Sequence, residues 1–480
     1  MNTSFTPFTL LLISLALAGC TVGPDYSAPQ PPEEQHYLAN SRQEVQLNSG
    51  QVLREDWWTL LGSPDLNRTV DRALAQNGAL VIARANLAKA REGVAMADGG
   101  RLPQVDVGAS AGRTKVGATA FGPQAEDFPL FSAYGGGLRA TYDLDLFGGE
   151  RRQVEMASAN VQVEQQALNA ARLEVAGNSV GAVLRMAVLN GQVQAVSSVI
   201  EADQQTLDRV QQAAKAGVAS TLDVSLAQSQ LDRDRARLPV LAQALAVNRG
   251  VLTTLVGATE TRWTAPDFDL ASLQLPEQVP VAVPSELIRL RPDIRAAEAR
   301  LQAANAWVGV TTADLYPHLT LSASLSDEAL FSGPASSAWS LLGGLAGPVF
   351  HGGTLSARQR AAEDAYQGAF AAYQQTVLRA FQQVAVSLHG LQNAADEARA
   401  EQQALDSATA ALRLTQQAYQ VGSAGLLQVV QAQRTQQLAQ VQWVQARGKR
   451  YQETVNLFLA MGGGQGATPS HTTPAAPPHR

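Results

Sequence analysis

Gly422-Ser423-Ala424-Gly425-Leu426-Leu427-Gln428-Val429, followed by Gln431-Ala432-Gln433, has a counterpart 205 positions earlier. That earlier stretch is Gly217-Val218-Ala219-Ser220-Thr221-Leu222-Asp223-Val224, followed by Leu226-Ala227-Gln228. Each copy ends a long proline-free run and opens a shorter helical run, so both read as the turned tip of a long helical hairpin. Before the first tip, 150–216 holds no proline, and Val154, Val161, Leu168, Val175, Ala182, Leu189 and Val196 recur every seven residues. That spacing is one seam line of a coiled-coil-like helix. A continuous helix over that run would span about 100 Å. Before the second tip, 354–421 is again proline-free. Phe370, Val377, Val384, Leu391, Ala398, Leu405, Leu412 and Tyr419 keep the same seven-residue step.

Outward from the tips, the two halves continue to match. Ile294, Ala297, Ala299, Leu301 and Pro317 follow Leu80, Ala83, Ala85, Leu87 and Pro103 at one constant offset. Val105, Val107, Ala109 and Ala111 alternate with the period of a strand and predict one over 103–114. Leu138, Ala140, Tyr142, Leu144 and Leu146 predict a second over 134–147. A third falls over 317–327 and a fourth over 338–350. Ser63-Pro64-Asp65 suits a helix start, Asn77-Gly78 a break, and Pro239 a disturbance in the first return helix. The chain is therefore a tandem repeat of helix, two strands, long helix, tip and return helix. The first repeat spans 66–257 and the second 285–461, joined by a proline-punctuated connection over 258–284. An N-terminal segment occupies 20–65, extended from Thr21 to about Gly50 and structured from Asp56-Trp57-Trp58, and the Gly/Pro/Thr tail 462–480 is expected to be disordered.

Composition narrows the class. With 480 residues, 45% of them hydrophobic, a large core is possible. Only 6% are aromatic, a balance that suits long helices with small-residue seams. The net charge of −6 and the lack of any basic block argue against nucleic-acid binding. At the N-terminus, 8–19 is an apolar run too short to span a bilayer as a helix. It ends in Leu17-Ala18-Gly19-Cys20, small residues before the chain's one cysteine. This reads as a lipoprotein signal peptide over 1–19 that leaves Cys20 lipidated. Thr21 rather than Asp follows Cys20, so no inner-membrane retention signal is evident and the outer membrane is the expected destination. One lipidated terminus anchors modestly, so the fold should help hold the membrane.

The strands are long enough to cross a bilayer when tilted. Lipid admits closed barrels only, and four strands cannot close. Either they form a soluble sheet or several chains pool them. The fold class expected is mainly α with transmembrane β.

Cys20-Thr21-Val22-Gly23-Pro24-Asp25-Tyr26 with Pro29 resembles the mature start of the lipoprotein (NodT-type) branch of the TolC-like outer membrane factors. Trp57-Trp58, Arg291-Pro292-Asp293-Ile294-Arg295 with Glu298, and both Gly-led tips resemble that family too. The similarity covers essentially the whole chain. It implies a homotrimer with a twelve-stranded β-barrel, a long periplasmic α-helical barrel and an equatorial belt. The implied function is exit duct of a tripartite efflux pump, with a periplasmic adaptor and an inner-membrane transporter of the resistance-nodulation-division type. No bond would be made or broken, and no cofactor beyond the Cys20 lipid is implied. The family's periplasmic gate carries over onto Asp223, Tyr419 and Leu427, with Gly217 and Gly422 at the turns. Gln428 and Gln431 stand where many members have Asp. Rings of Gln hydrogen-bond but carry no charge, which puts cation binding there in doubt. Asp223 is equally suited to cap a helix beside Ser220 and Thr221, and Tyr419 to continue the heptad seam. The alternatives are a type I secretion exit duct for proteins and a structural periplasmic lipoprotein without a pore.

Enzymatic signals are weak. Gly177-Asn178-Ser179-Val180-Gly181 matches G-x-S-x-G, but it lies inside a long helix instead of the strand-turn-helix the motif needs. Its glycines read as close-packing sites. The six histidines show no metal-ligand spacing.

Overall fold

The structure, a computed structural model, describes residues 21–30, 36–38, 47–50, 53–115, 130–330 and 334–464. Cys20, the signal segment and 465–480 lie outside the described residues. The chain divides into two compact units. One comprises 1–29, 86–165 and 296–374, and the other 30–85, 166–295 and 375–480.

The elements run in the order of a duplicated chain. A short strand β1 (Leu47–Ser49) and a 3-10 turn (Trp57–Leu61) precede helices α1 (Pro64–Gln76) and α2 (Gly78–Gly100). Strands β2 (Gln104–Thr114) and β3 (Phe131–Leu144) lead into α3 (Gly149–Lys215), and α4 (Thr221–Arg235) and α5 (Arg237–Leu255) return. After β4 (Val279–Val281) the pattern repeats as α6 (Pro284–Leu290), α7 (Pro292–Ala313), β5 (His318–Leu330), β6 (Ser336–Ala346), α8 (Thr354–Gln420) and α9 (Leu426–Ala460). From the start of α3 to the end of α5, every boundary recurs 205 residues later in α8 and α9, apart from the break before α5. From α2 to the start of β2 the step is 214, so the first repeat is nine residues longer between its two strands.

Local chemistry explains the boundaries. Ser63 Oγ accepts from the Leu66 amide at 3.4 Å and Pro64 sits in the first turn, where its missing N–H costs nothing. Asn77 adopts an extended conformation and its Oδ1 accepts from Ala79, which separates α1 from α2. The strands are displaced from their predicted spans by up to four residues. β3 ends at Leu144, short of 147, because Asp145 turns to cap α3, accepting from the amides of Glu150 and Arg151 at 3.2 and 3.0 Å. β6 ends at Ala346, short of 350, because Gly347-Pro348 follows and proline has no ladder donor. Pro239 acts upstream of itself. The return helix breaks at Ala236, and Pro239 falls in the first turn of α5, where it is tolerated.

In the second unit, Val175, Ala182 and Val196 of the α3 heptad line are buried and Leu189 is half-buried, and Ala73, Leu80, Val175 and Val256 form a common core. Trp57, 1% exposed, packs edge-on to Trp58 and against Phe458 with ring centres 5.7 Å apart. β1 pairs in parallel with β4, a contact the arm's sequence did not signal. The tail is not loose from Gly462 onward, as expected above. Gly462, Gly463 and Gly464 are buried turns against Arg291, Leu173, Trp57 and Arg54. Their lack of side chains lets the backbone fill that space.

Candidate functional site: a bare sheet and two hairpin tips

In the first unit, β2, β3, β5 and β6 form an antiparallel sheet in that order. Directly opposed residues share a face, so the register sorts the side chains. One row is Val107, Leu138, Leu325 and Trp339, which are 81%, 50%, 53% and 79% exposed. The adjacent row, on the opposite face, is Asp106, Arg139, Ser324 and Ser340. No layer covers the apolar face among the described residues: β2 is exposed along its whole length and β6 along nearly all of it. Among the described residues, both outer strands, β2 and β6, leave one edge unpaired. A sheet this apolar on one face, uncovered and open at two edges, is unstable as a free object in water.

The residues after Cys20 are docked against this unit. Val22 N donates to Phe147 O at 2.9 Å, and Asn305 Nδ2 to Pro24 O at 2.9 Å. Gly23 lies against the Gly309 backbone with no room for a side chain. Arg152, its side chain 5% exposed, pairs with Asp25 at 2.8 Å and Glu155 at 2.7 Å. These contacts use the Val22-Gly23-Pro24-Asp25 part of the lipoprotein-like start.

The tips belong to the second unit and are built alike. Gly217 and Gly422 have φ of 75° and 77°, the left-handed region in which a side chain is strained. Val218 N reaches back to Ala213 O, and Ser423 N to Ala418 O, each at 2.9 Å. Each helix therefore ends in a Schellman motif. The return helices start differently. Ser220 and Asp223 form a capping box: Asp223 N donates to Ser220 Oγ at 3.2 Å, and Ser220 N to Asp223 Oδ2 at 2.9 Å. Gln428 stands at the position equivalent to Asp223 and its Oε1 accepts from Gly425 N. Gly425 has no hydroxyl, so only this half of the box exists.

The carboxylate of Asp223 is thus occupied within its own turn. Hydrogen bonds from the Ser220 amide and hydroxyl hold it below the usual carboxylate range. Leu427 and its equivalent Leu222 are exposed, as are Val218, Tyr419, Val421 and Gln431. Within one chain the predicted gate residues share the tip region but face solvent.

The sequence pattern of the outer membrane efflux protein family matches residues 69–258 and 283–463. The chain belongs to that family. The pyoverdine export outer membrane protein OpmQ of Pseudomonas aeruginosa is 30% identical over 458 residues, 94% of each chain. The cation efflux system protein CusC of Escherichia coli O6:H1 is 26% identical over 405 residues, 82% of this chain and 85% of that one. The solved outer-membrane channel OprN overlays with a TM-score of 0.84 at 29% identity, covering 92% of this chain and 99% of the other. The open-state MtrE channel of Neisseria gonorrhoeae gives 0.79 at 25%, covering 93% and 98%.

As a member of this family, the chain is an outer-membrane channel of an efflux system. The G-x-S-x-G match lies in the interior of α3. Ser179 is fully buried and donates to Val175 O at 2.7 Å, so its hydroxyl serves its own helix. A Cβ on Gly177 would stand 2.7 Å from the Leu459 side chain. That glycine lets two helices approach. Sequence reading missed two features of the second unit, Arg291 as a structural node and the buried Asp203. In the sequence Arg291 shows only as part of a motif at the joint of two helices, and Asp203 is a single polar residue in an ordinary helical run with no spacing to mark it.

Proposed function

We propose that three copies of this chain pool their sheets into a twelve-stranded barrel in the outer membrane, and that their hairpins form a closable periplasmic conduit. The observation that carries this reading is the uncovered, two-faced sheet. Closure with neighbouring copies would pair both open edges, turn the Val107–Leu138–Leu325–Trp339 face to lipid and leave the Asp106–Arg139–Ser324–Ser340 face lining water. The docked Thr21–Pro29 segment would bring a lipid on Cys20 to the same unit, adding an anchor to the barrel.

The exposed Leu222, Leu427, Val218 and Tyr419 are suited to contact neighbouring tips and close the conduit. Asp223 and the uncharged Gln428 and Gln431 supply hydrogen bonds around them. With glutamine at the second tip, the aperture lacks one full set of carboxylates, so cations are weakly held there. The partners are a periplasmic adaptor and an inner-membrane transporter of the resistance-nodulation-division type, and the cargo is drugs or other small toxic compounds.

The test is native mass and single-channel conductance of the purified full-length protein. A trimer is expected, with low conductance that rises in Leu427→Ala combined with Asp223→Ala. A trimer that never conducts, with or without these changes, refutes the duct. A conducting trimer whose leak is unchanged by them refutes only the gate assignment.

A further inference from the structure

The first hairpin buries two carboxylates that its copy does not have. Asp203 on α3 is 6% exposed and Asp234 on α4 is 1% exposed. The equivalent positions 205 residues on are Ala408 and Ala439. Asp234 is provided for: Gln230 Nε2 donates to its Oδ2, and Arg237 lies 3.4 Å from its Oδ1. No cation pairs with Asp203 among the described residues. Asp203 faces Asp234 across α3 and α4, whose adjacent Gln204 and Arg235 are bonded to each other, and Gln437 of α9 lies nearby. Its Oδ2 is buried with no donor. Two ionised carboxylates in that arrangement would repel across a water-poor site, and one proton between them turns repulsion into a hydrogen bond.

The remaining charged groups on these turns point away. Glu201 and Asp208 on α3, Asp232, Arg233 and Arg235 on α4, and Arg434 on α9 are exposed. Arg235 donates to Gln204 at 2.9 Å. α8 contributes Leu412 and Gln416 to the groove that Gln437 lines, and neither titrates. Burial first, and then Asp234, push the Asp203 carboxyl up to about 7, against the opposing effect of Gln437.

We propose that Asp203 and Asp234 share one proton, and that this protonated pair is a pH-released joint between α3 and α4, the two arms of the first hairpin. Below neutral pH, Asp203 carries the proton and shares it in a hydrogen bond to the Asp234 carboxylate, which ties α4 to α3. As pH rises the proton leaves to water, the carboxylates repel, and the joint loosens. The folded-state value lies above the ordinary one of 3.8, so the joint is complete below about pH 4 and is lost as pH rises through about 7. This inference concerns contacts inside one chain and does not depend on the trimeric duct.

The decisive experiment is an infrared titration of the purified full-length protein, following the carbonyl stretch of a protonated carboxylic acid. One such band with a midpoint near neutrality is expected; it should be absent in Asp203→Asn and, because burial remains, move to lower pH in Asp234→Asn. Hydrogen exchange, corrected for intrinsic rates, reads the joint itself. Protection around Asp203 and Asp234 should fall about tenfold between about pH 6 and about pH 8 in the native chain, and stay level in Asp203→Asn, whose amide keeps the donor. The unaltered protein decides the matter even where the variants fail to fold. No band, or a midpoint in the ordinary carboxylate range, overturns the proposal, as does an unchanged pH slope in a folded Asp203→Asn protein.

Discussion

The two hairpins run in step without a gap from Gly149 and Thr354 to Gly257 and Gly462, yet they are held by different chemistry. Their ends are anchored in the same way. Asn77, at the joint between α1 and α2, donates its Nδ2 to Leu255 O at 2.9 Å, the last helical carbonyl of the first hairpin. Arg291, at the joint between α6 and α7, donates its Nη1 to Ala460 O at 2.7 Å, the same carbonyl of the second. Each hairpin then leaves its helix through a glycine with positive φ. What repeats is a set of backbone demands: a donor for an orphan carbonyl, a left-handed residue at each helix end, a small residue at each close crossing. What differs is how each is met. The first hairpin uses an amide, a Ser–Asp capping box, two buried aspartates and Pro239. The second uses a guanidinium, a Gly–Gln half-box, two alanines and Val444, and its return helix stays unbroken.

The anchor is where this contrast should be largest. Arg291 is 7% exposed and also binds Asp293 through two bonds and Gln383 at 2.7 Å. Arg291→Ala should cost about 3 kcal/mol, because it orphans a buried carbonyl and removes charge-assisted bonds. Asn77→Ala removes neutral bonds and should cost about 1 kcal/mol. Thermal unfolding in detergent, followed by near-ultraviolet circular dichroism, measures both. Equal losses would mean that the two anchors do the same work despite the charge. A second contrast reverses the ranking. A Cβ at Gly257 would lie 2.5 Å from Gln76 O, whereas one at Gly462 would lie 3.2 Å from Leu290 O. Both substitutions incur left-handed strain of about 1–2 kcal/mol. Gly257→Ala should cost about 1–2 kcal/mol more than Gly462→Ala, because backbone must move to admit it.

How much of this was legible follows from the kind of signal each feature leaves. The long helices were readable because the seven-residue step persists from Val154 to Val196 and from Phe370 to Leu412. Many weak signals agree along each run. The strands were readable in kind but not in extent. Alternation in Leu138, Ala140 and Tyr142 continues through Leu146, and nothing in that period reveals that Asp145 turns to cap α3. β1 was invisible, since three residues in an extended arm carry no period, and their partner Val279–Val281 is far along the chain. Asp223 was read with both roles, gate and cap, and within one chain the structure shows it capping. The buried Asp203 was unreadable because its neighbours in sequence are polar and its burial comes from α4 and α9.

The tips give the smallest expected effect and a clean difference in sign. Asp223 has its folded-state value depressed by the Ser220 amide and hydroxyl. Its capping contribution is therefore present above the ordinary carboxylate value of 3.8 and is lost as pH falls through the lower folded value. This is opposite to Asp203, whose contribution is lost as pH rises. Gln428 does the equivalent work with a group that does not titrate, so the second tip should be indifferent to acid. Hydrogen exchange at the amides of Ser220 and Gly425, corrected for intrinsic rates, compares the two within one molecule. Acidification should deprotect Ser220 and leave Gly425 unchanged. In Asp223→Asn, Ser220 should become as insensitive as Gly425, because an Asn oxygen accepts the same bond without a charge to lose. If acid deprotected both amides alike, the caps would be following a wider opening of the hairpins, and the local chemistry of Asp223 and Gln428 would not be what sets the two tips apart.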